Sequence, residues 1–326
     1  MREARKAESA AARGSREGRK KAGEVTAQRL IARFAEEGFV LSRPAARALA
    51  LADSLEKPLL LEGPPGVGKT EIGRLWAGAT GSPLVRLQCY EGLDEARALY
   101  EWSYGKQILY SQLLREKVGD LVGEAPTLEV AVARLRGQAD AFFSMDFLLP
   151  RPLMRALLSP ERAVLLVDEI DRSDEEFEAF LLEMLQDFQV TVPELGTVHA
   201  VHRPRVVLTS NDARELADAL RRRCLYLYID YPTVEEEAAI LAARAPGLPE
   251  ALRRQLAGFV ARLRRAGLRK APGVAESIDW ALALAAVGAE DLGKPVLEET
   301  LGALIKHRDD LRAVMENLSS LRPPRV

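Results

Sequence analysis

The chain has 326 residues, 46 Lys and Arg against 48 Asp and Glu, a formal net charge of −2 and 48% apolar side chains, the profile of an ordinary globular protein of about two domains. That charge balance argues against a dedicated nucleic-acid binder, whose basic face would neutralise phosphates. No segment reaches the roughly 18 to 20 apolar residues of a membrane span, the longest candidate, Trp280 to Ala289, being broken by polar neighbours and Gly288. Cys89 and Cys224 stand far apart and in no CxxC grouping, so neither a disulfide framework nor a cysteine metal site is indicated, which fits a reducing cytoplasm.

Residues 1–24 are Arg, Lys, Ala, Ser, Gly and Glu with no large apolar side chain after Met1, so a solvated basic tail is expected there. An apolar h-region is lacking, and Glu3, Glu8, Glu17 and Glu24 do not suit a mitochondrial presequence. From Val25 the pattern turns globular. Leu30, Ile31 and Phe34, then Ala48, Leu49, Leu51 and Ala52, predict helices over Ala27 to Glu37 and Pro44 to Leu55.

A short apolar strand, Pro58 to Leu61, then feeds Gly63-Pro64-Pro65-Gly66-Val67-Gly68-Lys69-Thr70, a full Gly-x-x-x-x-Gly-Lys-Thr phosphate loop, with helix predicted from Glu71 to Thr80. In such a loop the backbone N–H groups curl around the β-phosphate and the following helix N-terminus adds its dipole. Lys69 would reach the β- and γ-phosphates of ATP, and the Thr70 hydroxyl would ligate Mg2+. A second apolar strand, Val164 to Val167, ends in Asp168-Glu169. At the carboxyl end of a buried parallel strand, Asp168 suits metal binding and Glu169 suits activation of the attacking water.

Ser173 with Glu176 reads as a capping box that starts a helix to about Phe188, striped by Phe177, Phe180, Leu181, Met184, Leu185 and Phe188. Val190 to Val192 and Val198 to Val201 then read as a hairpin, within about 189–202. His199 and His202 lack a third ligand in view and are expected to be ordinary hairpin residues. Another apolar strand, Val206 to Thr209, ends in Ser210-Asn211-Asp212, where the Asn211 amide is placed to orient a water. Arg221-Arg222-Arg223 follow, before a strand from Leu225 to Ile229, and three adjacent guanidiniums call for anionic partners.

Between Gln88 and Ala163 the chain is longer than one helix needs, so an insert is expected at about 90–150. Tyr90, Tyr100, Trp102, Tyr104 and Tyr110 place five of the 19 aromatics in 21 residues there, which suits either a recognition surface or the packing of an added helical layer. Beyond Tyr231-Pro232 the periodicity is helical throughout, with stripes at Glu235 to Arg244, Leu252 to Leu263, Ile278 to Val287 and Val296 to Leu304. Arg262, Arg264, Arg265, Arg269 and Lys270 read as a solvated or subunit-facing basic patch.

The succession of phosphate loop, aspartate-glutamate strand, terminal asparagine, arginine cluster and helical tail resembles the AAA+ ATPases, and within them the MoxR branch, over roughly Val25 to Arg322. The helix after Asp168-Glu169 with its hairpin, and Leu149-Pro150-Arg151-Pro152-Leu153, are similar to features of that branch. The segments Leu59 to Tyr104, Ala219 to Pro232 and Val274 to Trp280 resemble its CoxD-like subgroup, which accompanies molybdenum-containing carbon monoxide dehydrogenase and related enzymes. The resemblance implies an α/β P-loop core at 25–231, with a central parallel sheet flanked by helices, and an all-helical lid domain at 232–326. It also implies Mg2+-dependent ATP hydrolysis in a hexameric ring, with residues 63–71 (from Gly63 to Glu71) on the nucleotide and Thr70 and Asp168 on the metal. In that reading Glu169 is catalytic, Asn211 is sensor 1, and Arg222 or Arg223 is a finger reaching the ATP of the neighbouring subunit. The implied work is that of a cytoplasmic chaperone maturing a molybdoenzyme together with a partner bearing a von Willebrand factor A (VWA) domain. One departure stands out: where relatives place a sensor 2 arginine, this chain reads Lys270-Ala271-Pro272-Gly273-Val274-Ala275-Glu276, leaving Arg269 or Lys270 as substitutes. Three rivals stand beside it: a DNA-directed AAA+ motor, which would share every catalytic residue, a non-hydrolysing scaffold assembled by ATP, and a P-loop GTPase, the last disfavoured because no Asn-Lys-x-Asp motif is present.

Overall fold

The computed structural model describes residues 25–113, 127, 144–193 and 195–321. Helices α1 (Ala27–Glu36) and α2 (Arg43–Leu55) come first, begun by the hydroxyls of Thr26 and Ser42, which accept from the Arg29 and Ala45 N–H groups. They are followed by β1 (Leu59–Glu62), α3 (Lys69–Thr80), β2 (Leu84–Gln88), α4 (Glu95–Leu99), β3 (Tyr100–Trp102) and α5 (Tyr104–Leu113). Next along the chain are β4 (Leu148–Pro150), α6 (Pro152–Leu157), β5 (Val164–Asp168), α7 (Glu175–Asp187), β6 (Gln189–Val192) and β7 (Gly196–His199). The sheet is completed by β8 (Arg205–Ser210) and, after α8 (Asp218–Arg223), by β9 (Leu225–Tyr228).

Five strands form one parallel sheet in the order β2-β5-β8-β1-β9. Its central strands are apolar along their length because both faces are covered, and every residue of β1 and β5 is buried. The two-residue alternation divides them between two cores. Leu60, Leu165, Val167 and Leu208 pack with α6 and α7, whereas Leu59, Leu61, Leu166 and Val207 pack with α1 to α3. Each fully buried leucine contributes about 1.5–3 kcal/mol of transfer free energy.

The C-terminal region is helical: α9 (Val234–Arg244), α10 (Glu250–Arg265), α11 (Val274–Ala286), α12 (Lys294–Leu304), α13 (Arg308–Glu316) and α14 (Leu318–Leu321). It has its own core, centred on Phe259 against Trp280 with ring centroids 5.5 Å apart. Four of these helices match the sequence stripes, while α13 and α14 were not anticipated. None of the helices in the described residues is long and apolar enough to cross a membrane.

Several expectations are corrected. The helix after Glu169 is capped by Asp174, whose Oδ1 accepts from Phe177 N at 2.9 Å, and not by Ser173. Ser173 is used instead to close a preceding 3-10 turn, its hydroxyl donating to Ile170 O at 2.8 Å. The basic patch is not uniformly solvated: the Arg264 side chain is only 6% exposed and lies against Glu237, which is 0% exposed. One turn of α9 supplies this carboxylate, and local sequence does not reveal it. In the insert, β3 and β4 form an antiparallel ribbon pairing Trp102 with Leu148, and Tyr100 and Trp102 pack on the core while Tyr90, Tyr104 and Tyr110 are exposed. Residues 114–126 and 128–143 of the expected insert, the 1–24 tail and Arg322 lie outside the described residues. The hairpin β6–β7 forms with Val190 opposite Val198, and no metal-binding group involving His199 or His202 exists among the described residues.

Candidate nucleotide site

Because β1, β5 and β8 run parallel, their carboxyl ends open on one edge, with Glu62 level with Ser210 and Gln88 level with Asp168. The loop from Gly63 to Gly68 leaves β1 at this edge and starts α3 at Lys69. Gly63 has φ +154°, and a Cβ there would stand 2.0 Å from the Ile229 carbonyl oxygen, so the turn demands glycine. Within the loop Val67 is buried, and Pro65 and Gly66 face outward. Lys69 Nζ lies across the loop, donating to Gly63 O at 2.7 Å and Pro64 O at 2.8 Å. Burial lowers its pKa, opposed by the negative charge of Asp171, Asp168, Glu169 and Glu62. An ammonium held in a helix-mouth loop and faced by four carboxylates is a site prepared for a polyanion with its counter-cation. Glu71 stands apart from it, paired with Arg74 at 2.6 Å, and that hydrogen bond holds its carboxyl below the usual range.

Asp168, 2% exposed, is the hub. Its Oδ1 accepts from Thr70 Oγ1 at 2.8 Å and from Thr209 Oγ1 at 2.6 Å, and its Oδ2 from Arg86 Nη2 at 2.5 Å. The Thr70 hydroxyl and Asp168 carboxylate together are hard oxygen donors adjoining the phosphate loop, a set that fits Mg2+. Glu169 is in the left-handed region, φ 56° and ψ 50°, uncommon for a residue with a side chain. Its N–H donates to Thr209 Oγ1 at 2.9 Å, and its carboxylate accepts from Gln88 Nε2 at 3.1 Å and Arg172 Nη1 at 3.0 Å. Strain at this residue is thus met by a hydrogen bond from the adjoining strand, and the carboxylate is aimed by two donors.

Asn211 follows β8, its N–H donating to Asp171 Oδ2 at 3.1 Å, while Ala213 N donates to the same oxygen at 3.0 Å. Asp171 and Glu169 are two residues apart, so one short segment positions both the carboxylate and the asparagine. The arginine cluster is anchored similarly. Glu178 on α7 is buried and accepts from Ala217 N at 2.8 Å, just ahead of α8, and from Arg214. The three arginines divide. Arg221 reaches Glu62 Oε2 at 3.4 Å and lies 5.3 Å over the Tyr226 ring, whose hydroxyl donates to Glu62 Oε1 at 2.8 Å. Arg222 is 82% exposed, 3.8 Å from Asp218 on its own helix, and Arg223 donates to Gln186 Oε1 at 2.8 Å on the surface.

Arg269 and Lys270 are held by their backbones, both N–H groups donating to the Asp310 carboxylate at 3.0 Å. Among the described residues neither side chain is bonded to the phosphate loop. The helical region meets that loop elsewhere, through Val274 N donating to Gly66 O at 2.9 Å.

Sequence reading singled out the loop, Asp168, Glu169, Asn211 and the arginines, but missed Arg86, Gln88, Thr209, Asp171, Glu62 and Glu178. Two-residue alternation along β2 was an available signal, since it puts Arg86 and Gln88 on one face. The others are ordinary polar residues until the sheet assembles.

The model of the AAA domain, dynein-related subfamily, matches residues 58–224, just over half of the chain and all of the sheet except β9. Among solved structures, the chain is similar to the Thermotoga maritima RuvB Holliday junction branch migration motor, at 20% identity over 79% of this chain and 66% of that one, with a TM-score of 0.45. A variant of that protein matches at 18% identity over 85% of this chain and 75% of its own, with a TM-score of 0.47. The chain thus spans slightly less than two thirds of the first of these structures. With its phosphate loop and carboxylate strand in one family match, this chain belongs to the AAA domain family, dynein-related subfamily.

Proposed function

We propose that the chain is a Mg2+-dependent ATPase whose active site is shared between copies in a ring, and that it does mechanical work on a client. The observation that carries this reading is the division among the arginines. Arg221 is committed to Glu62 in its own chain, while Arg222 and Arg223 lie on the surface, bonded to no residue of the Asp168 cluster. An exposed guanidinium next to a neighbour's triphosphate would stabilise charge in phosphoryl transfer by about a thousandfold or more.

Thr70 and Asp168 would hold the metal, which when bound neutralises phosphate charge and orients the terminal phosphoryl group. Residues 63–70 would cradle the phosphates, with Lys69 exchanging the Gly63 and Pro64 carbonyls for phosphate oxygens. Glu169 takes the proton of the attacking water, held by Thr209 through its backbone and by Gln88 and Arg172 through its carboxylate. Asn211, fixed by Asp171, orients that water. The helical region from residue 232 acts as a lid.

The test is complementation. Glu169→Gln copies and Arg222→Ala/Arg223→Ala copies should each bind ATP and turn it over slowly, and mixing them should restore hydrolysis at mixed seams. Full-rate turnover by a dilute lone subunit, or no recovery on mixing, would reject the shared site.

For the client, the resemblance of Leu59 to Tyr104, Ala219 to Pro232 and Val274 to Trp280 to the CoxD-like subgroup supports a cytoplasmic factor that completes the metal centre of a molybdenum hydroxylase with a VWA-domain partner. Capture of the tagged chain from its host should co-purify such an enzyme, and duplex-stimulated turnover with no such enzyme would favour a DNA motor instead.

A further inference from the structure

β2 is an edge strand of the sheet, and its exposed alternate residues Arg86 and Gln88 lie beside Asp168 at the end of β5 and Glu169 just after it. Asp168 is almost wholly buried yet fully engaged: two hydroxyls on Oδ1 and a guanidinium on Oδ2. A buried carboxylate needs a cation nearby, because an uncompensated charge in a low-dielectric site is strongly unfavourable. Among the described residues, the ion pair that meets this need is Arg86 at 2.5 Å.

Arriving at Asp168, a divalent cation competes with that guanidinium for the same negative charge. The hydroxyl donors are poorly placed to leave. Thr209 Oγ1 also accepts from Glu169 N, and Thr70 lies in the first turn of the helix that follows the phosphate loop. Arg86 is the removable partner. Its side chain is 51% exposed on a long flexible stem, and its Nη2 already has a second acceptor, Gln88 Oε1, at 2.6 Å. Moving from Asp168 to Gln88 therefore leaves it with a hydrogen bond and with solvent around its charge.

We propose that Arg86 is the resident counter-ion of the metal site. It neutralises Asp168 while the site lacks metal, yields it when the metal-nucleotide arrives, and so sets the divalent-cation concentration at which the chain loads nucleotide. Arg86 is a positioning residue in this scheme, acting through Asp168. The inference rests on the Mg2+ reading above.

The experiment is binding of a fluorescent ATP analogue to the full chain, titrated with MgCl2 and separately with MnCl2 at fixed analogue concentration. Removing the competitor in Arg86→Ala or Arg86→Gln should lower the half-saturating cation concentration severalfold, up to roughly fivefold, the scale of a partly exposed ion pair. Arg86→Lys keeps a cation at the position and should stay near wild type. Analogue binding at saturating Mg2+ should change less than twofold, which a residue that merely supports the fold or contacts phosphate would not allow. An unmoved or raised midpoint in both Arg86→Ala and Arg86→Gln would overturn the proposal. Cation-independent binding by wild type, with Asp168→Asn behaving identically, would instead remove the Mg2+ reading.

Discussion

Gly66 of the phosphate loop and Gly273 at the mouth of α11 touch backbone to backbone: a Cβ on Gly273 would stand 2.9 Å from Gly66 Cα, and one on Gly66 would stand 3.0 Å from Gly273 Cα. Val274 N donates to Gly66 O beside this contact, and the Glu276 carboxylate accepts from Gly273 N at 3.1 Å. The phosphate loop and the start of α11 are thereby in direct backbone contact, so a shift of one would press on the other.

Gly273→Ala should therefore open this junction, since a methyl meeting backbone cannot be absorbed by a rotamer change. The expected cost is about 1–3 kcal/mol. Hydrogen exchange at Val274 should speed up, and nucleotide should no longer protect it. Gly302→Ala, in α12 with no atom within 4 Å of the added carbon, should leave that exchange unchanged.

Thr209 serves both acidic residues with one hydroxyl, donating to Asp168 and accepting from Glu169 N. Thr209→Val keeps the shape, strands the Glu169 N–H and leaves Asp168 Oδ1 with the Thr70 hydroxyl alone. Stability should fall by about 1–3 kcal/mol, the cost of leaving buried polar groups unpaired. Turnover should fall by at least tenfold while ATP affinity changes little, read from steady-state kinetics and equilibrium binding. Unchanged turnover would show that Glu169 holds its left-handed backbone without this contact.

In the helical region, Arg264 pairs with Glu237 at 2.6 and 2.9 Å, donates to Pro272 O at 2.9 Å and lies 4.4 Å over the Tyr231 ring. Glu237→Ala would strand a buried guanidinium and should cost about 3–5 kcal/mol. The Arg264→Met/Glu237→Leu double variant should recover much of that loss. Urea midpoints of the three proteins decide the point.

Burial pushes the Cys89 thiol up to about 12, helped by the carboxylates of Asp168, Asp171, Glu169 and Glu178, and burial alone pushes Cys224 up to about 12. Both thiols should react with a disulfide reagent at neutral pH on the order of a thousandfold more slowly in the folded than in the unfolded chain. The sign for stability follows: the folded pKa lies above the unfolded value of 9.0, so this contribution is complete below that pH and is lost as pH rises towards 12. Rapid modification of native protein would mean that these segments open.

The chemistry of phosphate binding is local, and the sequence by itself carried it. Eight consecutive residues make up the loop proposed as the cradle, Asp168-Glu169 ends a strand recognisable by its apolar run, and periodicity marks most helices, because backbone turns and amphipathic faces depend on near neighbours. Roles that depend on distant partners were settled only by tertiary structure. Strand order put β2 beside β5, which turned Arg86 and Gln88 into partners of Asp168 and Glu169. Helix packing brought Glu237 to Arg264 and buried a side chain that composition assigns to solvent. The same cause separated three adjacent arginines, since only Arg221 meets a carboxylate supplied by β1, and charge energetics depend on which groups share a desolvated space rather than on their spacing along the chain.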